Sequence, residues 1–173
     1  MRTFAGFQRS TCSCSLCTIN CLFIPGFLLP EDLAPIGLFL GCTDILGFVE
    51  ENFLASPGAL VAKSCPGPDP GAGKLYRIRT FVPARGENGW CRFFDGKLCK
   101  IHPVAPFGCA FFDSHQDPCH SQRISALGLM SIEAQWRNEQ SSLYCIIWHH
   151  LFLSGLTAPS PEECRQRMQE SIP

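Results

Sequence analysis

The chain has no long apolar run, no surplus of charge and no glycine-rich phosphate loop, and each absence removes a class of function. A membrane-spanning helix needs roughly 20 consecutive apolar residues. The nearest approach, Leu143–Leu156, is shorter and carries His149 and His150, so no membrane partner is expected. Fourteen basic and fifteen acidic residues in 173 leave a net charge of −1. Proteins that hold nucleic acid through its phosphates need a basic surplus, so no nucleic-acid partner is expected either. Gly71-Ala-Gly73 stands ahead of a strand rather than between a strand and a helix, and reads as loop. The apolar stretch from Cys21 to Leu29 contains Pro25 and Gly26, and no small-residue cleavage pattern follows. Export is therefore not expected, and the cytoplasm is the expected location.

What the chain has is sulfur: 12 cysteines. An even number invites a disulfide framework. Two features oppose it. A chain of 173 residues is long enough to bury a core without staples, and it reads as a single domain over residues 1–173. Cys12, Cys14, Cys17 and Cys21 also crowd into ten residues, a spacing that suits chelation better than long loop closure.

Local patterns give a coarse map. The segment to Pro30 shows no clear periodicity and reads as a cysteine-bearing loop. Glu31–Leu40 reads as a short helix with acids in its first turn and Pro35 near its start. A second helix is expected from an N-cap at Thr43, with Ile45, Val49 and Phe53 on one face, until Ser56-Pro57-Gly58 stops it. Ser64–Gly73 is a proline- and glycine-dense surface excursion. Leu75–Pro83 alternates as one strand, Tyr76, Ile78 and Val82 on one face against Arg77, Arg79 and Phe81 on the other, with the arginines outward. Residues from Ser125 to about Leu156 form one or two helices, with Leu127, Met130, Ile132, Trp136, Tyr144 and Trp148 as core candidates. Ser160, Pro161 and Glu163 make a capping box for a last helix.

Cys91–Cys109 is expected to open with a β-hairpin around Asp95-Gly96. A three-residue loop, Phe94-Asp95-Gly96, would set Cys91 and Cys99 directly opposite each other, with Cβ atoms about 4.5–5.5 Å apart, suited to one metal. Thiolates favour soft or borderline metals. A structural zinc takes four such ligands, and an iron–sulfur cluster usually takes four cysteines. Cys14-Ser-Leu-Cys17 supplies one half-site and Cys91 with Cys99 the other, so these four form the primary expected ligand set.

The pattern resembles the YkgJ-like cysteine-cluster family, the CxxCxxCC zinc- or iron-chelating domain. The resemblance covers about residues 10–113. Its second block runs Gly89-Trp-Cys91-Arg-Phe93-Phe-Asp95-Gly-Lys-Leu-Cys99-Lys-Ile101-His102, then Pro106-Phe-Gly-Cys109. In the first block Cys14, Cys17 and Cys21 match, while Asn20 stands where the family has a cysteine. The resemblance implies that Cys14, Cys17, Cys21, Cys91, Cys99 and Cys109 chelate zinc or an iron–sulfur cluster. It carries no established reaction. Cys12, outside the matched motif, is a candidate to replace the missing sulfur. His115 and the pair Cys119-His120 are further candidates to complete a site, and His102 is expected to pack or to hydrogen-bond a ligand.

Cys42 and Cys145 read as buried thiols, and Cys65 as an exposed one. Cys145 and His149, four apart on a helix, read as core packing in aliphatic and aromatic surroundings. The rival reading is a redox or protein-modifying enzyme using an iron–sulfur cluster or a cysteine nucleophile, with Cys109 after Gly108 at a helix start as the candidate. The expected fold is a small α+β domain, mainly helical, with a β-hairpin and one further strand, organised around a cysteine metal site.

Overall fold

The computed structural model describes residues 3–10, 12, 14–58, 60–62, 75–138 and 142–171. The excursion expected at Ser64–Gly73, with Cys65, lies outside these residues. The described part is a small α+β fold with three two-stranded antiparallel pairings. Its helices are α1 (Ser15–Phe23), α2 (Leu33–Phe39), α3 (Ile45–Asn52), α4 (Phe107–Ala110), α5 (Pro118–Arg137), α6 (Leu143–Leu153) and α7 (Pro161–Ser171). Its strands are β1 (Thr3–Phe4), β2 (Phe7–Gln8), β3 (Phe53–Ser56), β4 (Leu60–Ala62), β5 (Leu75–Arg77) and β6 (Thr80–Pro83).

Several expectations are revised by long-range packing. The segment before Pro30 is not loop throughout: it holds the β1–β2 ribbon and α1. The second helix is capped by Asp44 rather than Thr43, its carboxylate accepting from the N–H groups of Leu46 and Gly47. It also ends earlier, because Phe53 turns into β3 and pairs with Pro83. Phe53 is fully buried there, while Ile45 remains about half exposed. Leu75–Pro83 is two strands. Its first half pairs with β4 and its second with β3, so Phe81 points inward and is fully buried.

The β3–β6 pair is the floor on which the helices sit. Trp148 on α6 donates its indole N–H to the carbonyls of Ser56 (3.1 Å) and Thr80 (3.0 Å), satisfying the sheet end. Tyr144, one turn earlier, donates to Leu28 O (2.9 Å) and accepts from Phe81 N (3.3 Å). The two residues fix α6 across the floor, and both were core candidates. Ile132 is buried and Trp136 partly so, but Leu127 and Met130 face outward. The capping box forms as its sequence dictates: Glu163 N donates to Ser160 Oγ (3.2 Å), and Ser160 N to Glu163 Oε2 (2.6 Å).

Phe107 anchors the other half of the core, with the rings of Phe4 (4.7 Å), Phe27 (5.4 Å), Phe111 (5.2 Å) and Phe112 (5.7 Å) around it. Asp32 ties this cluster to the entry of α2. Its buried carboxylate accepts from Leu29 N (2.7 Å) and Phe107 N (2.8 Å), the latter at the start of α4. Nearby, the backbones of Gly26 and Gly108 cross so closely that a methyl group at either would overlap the other strand of backbone. Gly108 N donates to Phe27 O (2.9 Å) across this crossing. Glycine is required here because two main chains occupy the space that a Cβ would take.

Candidate metal centre

Three of the expected cysteines lie on or beside one short helix. Cys14 immediately precedes α1, and its carbonyl accepts from Thr18 N (2.9 Å). Cys17 and Cys21 are four apart within α1, hence on one face. The three form a sulfur stripe running down the helix. Asn20, at the unmatched position, lies within α1.

At the N-terminal end of this stripe the chain assembles a compact donor group. The Sγ atoms of Cys12, Cys14 and Cys17 and a ring nitrogen of His115 all lie within 4.8 Å of one another. Cys14 Sγ is 3.6 Å from Cys17 Sγ and 3.1 Å from His115 Nε2. Asp113 organises the approach. Its carboxylate accepts from Ser10 Oγ (2.7 Å) on one side and His115 N (2.8 Å) on the other. Ser10 Oγ in turn accepts from Cys12 N (3.2 Å), and Ser114 N reaches Cys17 Sγ (3.3 Å). The Ser10 hydroxyl, above all, holds the Asp113 carboxyl below its usual range.

The thiols of this group differ electrostatically. The backbone N–H of Cys17 and then the His115 ring pull Cys14 down to about 6. Cys12 is pulled down by the backbone N–H of Cys14, but hydrogen bonding with the thiols of Cys17 and Cys14 leaves it raised overall. The donor set suits zinc, which accepts three thiolates and one imidazole. A tetrahedral zinc with bonds of about 2.3 Å to sulfur and 2.0–2.1 Å to nitrogen has ligand–ligand edges of roughly 3.5–3.8 Å. The Cys14–Cys17 spacing matches the sulfur–sulfur edge, and the Cys14–His115 spacing is about half an ångström shorter than the sulfur–nitrogen edge.

Beyond Cys17, the stripe enters a cavity of about 440 Å³. Cys12, Cys17, Cys21, Cys91, Cys99 and Cys109 all line it, with Phe93, Phe94, Ile101 and Phe112 among the apolar walls. Burial pushes the inner thiols up: Cys91 to about 12, Cys109 well above its ordinary value, and Cys99 and Cys21 in the same direction. The inner sulfurs also sense one another's charge. Cys91 is raised further by Cys99 and Cys21, and Cys109 by Cys91, Cys21 and Cys99. Arg85 acts against this at Cys91 and Arg9 at Cys99. Gly26 N donates to Cys109 Sγ at 3.1 Å, so the glycine crossing also positions a thiol.

The second block reaches the cavity by a different path from the expected hairpin. Cys91 bridges Arg85, and Cys99 bridges Phe94. The chain from β6 folds back through Gly86–Gly89, and Arg92 N donates to Ala84 O (2.9 Å). Asp95 then makes a separate tight turn, accepting from Lys97 N (2.9 Å) and Leu98 N (2.8 Å). Cys91 and Cys99 are therefore not a cross-strand pair. An aspartate that caps its own turn out-competes the three-residue loop with Gly96. Cys91 N donates to Leu22 O (3.2 Å), docking this block against the end of α1.

Among the expected ligands, Cys14 and Cys17 fall in the compact group, while Cys21, Cys91, Cys99 and Cys109 line the cavity outside it. Cys12 and His115, named from sequence only as candidates, complete the compact group. His102 stands exposed at the cavity wall, where burial and then Arg9 lower its affinity for a proton. Cys119 is exposed, and His120 packs edge-on against Phe7 (5.1 Å), outside the compact group. Cys145 is fully buried in the core, and His149 meets the rings of Trp136 (5.6 Å) and Trp148 (5.5 Å). Cys42 is half-buried rather than buried, its thiol on Asp44 O (3.2 Å). All eleven described cysteines are free thiols.

No family model, curated protein or solved structure matches the chain. No helix among the described residues is long and apolar enough to cross a membrane.

Proposed function

We propose that this chain is a metal-binding protein that chelates zinc or an iron–sulfur cluster through cysteines of its two blocks, as the resemblance to YkgJ-like cysteine-cluster proteins implies. One observation supports metal binding, at the first block: four donor atoms, from Cys12, Cys14, Cys17 and His115, converge within 4.8 Å. Such a group has a physical reason to hold a cation. Three thiols this close repel one another once ionised, and a divalent ion removes that repulsion while converting binding energy into folding energy. Zinc is the metal that best fits three sulfurs and one imidazole.

The test is elemental analysis of protein purified without oxygen, with Cys14→Ser beside the parent. The parent is expected to carry metal in stoichiometric amount. Cys14→Ser is expected to lose metal and melting temperature together. Parent protein free of any transition metal would reject the reading.

The pairing of Cys14 with His115 at 3.1 Å supports a second reading, a thiol enzyme with Cys14 as nucleophile. Rapid, selective alkylation of Cys14 in protein as isolated would favour it, because a metal-bound thiolate is shielded from the reagent.

A further inference from the structure

Six sulfurs line one cavity, yet only two of them belong to the compact donor group. Among the described residues, Cys12, Cys14, Cys17 and His115 are the group of three or more donors that meets the 4.8 Å spacing. No three of Cys21, Cys91, Cys99 and Cys109 do so, although all four are described and line the same cavity. A single zinc draws its thiolates to within roughly 3.8 Å of one another. Four thiolates on the corners of a four-iron cubane stand roughly 6 Å apart, because the cluster itself fills the space between them.

The space is there to be filled. The cavity, about 440 Å³, extends from Cys12 and Cys17 to Cys21, Cys91, Cys99 and Cys109 and has room for more than a single ion. Its walls of Phe93, Phe94, Ile101 and Phe112 are apolar, which suits a cluster that must be kept from water. Four cysteines around a [4Fe–4S] core carry four negative charges against the core's two positive. Arg9 and Arg85 both act electrostatically on these thiols and are placed to offset the remainder.

We propose that the chain carries two separate centres: a single zinc ion on Cys12, Cys14, Cys17 and His115, and a polynuclear iron–sulfur cluster on Cys21, Cys91, Cys99 and Cys109. This builds on the metal-binding reading and adds number, nuclearity and a division of the ligands. It draws His115 and Cys12, which lie outside the resembled motif, into a centre of their own.

The experiment is anaerobic purification of the full chain from iron-supplemented culture, with zinc, iron and acid-labile sulfide measured per chain. The parent is expected to hold one zinc, together with iron and sulfide in equal amounts. Joint replacement Cys12→Ser with His115→Ala is expected to remove the zinc and leave iron and sulfide at parent levels. Cys99→Ser with Cys109→Ser is expected to do the reverse. These inner thiols are half-buried in the cavity wall, so this second variant has a folding risk, and the Cys12/His115 variant decides the matter alone if it fails to fold. Loss of zinc and iron together in the Cys12/His115 variant, or retention of its zinc, would overturn the division. Zinc without iron or sulfide in the parent would overturn the cluster while leaving metal binding intact. A metal-free parent would reject the metal-binding reading itself.

Discussion

Cys14 and His115 are separated by 101 residues and meet at 3.1 Å, and the meeting sets the chemistry of the thiol. The pull of the Cys17 N–H and the imidazole lowers Cys14 from an ordinary 9.0 to about 6. In metal-free protein Cys14 is therefore mostly thiolate at neutral pH. The sign for stability follows from linkage: a lowered acid contributes above its unfolded value, near 9, and its contribution disappears as pH falls through 6. Replacing His115 by alanine removes one of the two named pulls. The Cys14 titration midpoint in metal-free protein, read by the pH dependence of iodoacetamide modification, is expected to move upward. Alkylation at neutral pH should slow accordingly. An unchanged midpoint would mean that the backbone N–H alone sets the thiolate.

At the level of elements, the fold was legible where the sequence carries its own local signal and illegible where a partner far along the chain decides. The Ser160–Glu163 box and the Trp148 and Tyr144 positions could be read because capping and helical periodicity are local. Phe53 could not. Its spacing fits the face of a helix, but pairing with Pro83 draws it into a strand. The site follows the same rule. The crowding of Cys14, Cys17 and Cys21 is legible as a sulfur cluster, but the segment lacks a strong apolar period and reads as loop where the structure has α1. His115 had no spacing signal, since Asp113 and Ser10 position it through contacts that span the chain.

Two element-level predictions follow from the contacts that hold α4 in place. Gly26→Ala forces a methyl into the Gly108 backbone and should destabilise the chain by about 1–3 kcal/mol, the usual range for overpacking. Because Gly26 N also holds Cys109 Sγ, metal retention should fall with it. Asp32→Ala strips the acceptor from two buried N–H groups, of Leu29 and Phe107, and should cost about 3 kcal/mol in urea unfolding. Ser160→Ala offers the contrast, a lost cap worth about 1 kcal/mol at the start of α7, which contributes no residue to the cavity lining, with metal content unchanged. Loss of metal in the Ser160 variant would show that α7 is coupled to the centre.

For the molecule as a whole, the cavity makes stability depend on pH in a way that metal is expected to abolish. Burial raises Cys91 to about 12, and Cys21, Cys99 and Cys109 move in the same direction. A raised thiol keeps its proton in the folded chain when the unfolded chain has already lost it. Above about 9 the unfolded state therefore binds fewer protons than the folded one, and stability falls as pH rises from 9 toward 12. With the inner thiols holding metal as proposed, loaded protein would have no such protons to lose, since metal-bound sulfur is already thiolate. Metal-free protein should thus lose melting temperature steeply between pH 8.5 and about 10.5, while loaded protein should stay nearly flat. Loading itself should release protons, measurable as a buffer-dependent heat. Cys91→Ala in the metal-free state should flatten the alkaline slope by removing one of the raised groups. Parallel pH profiles for the two states would mean that the inner thiols take no part in holding metal.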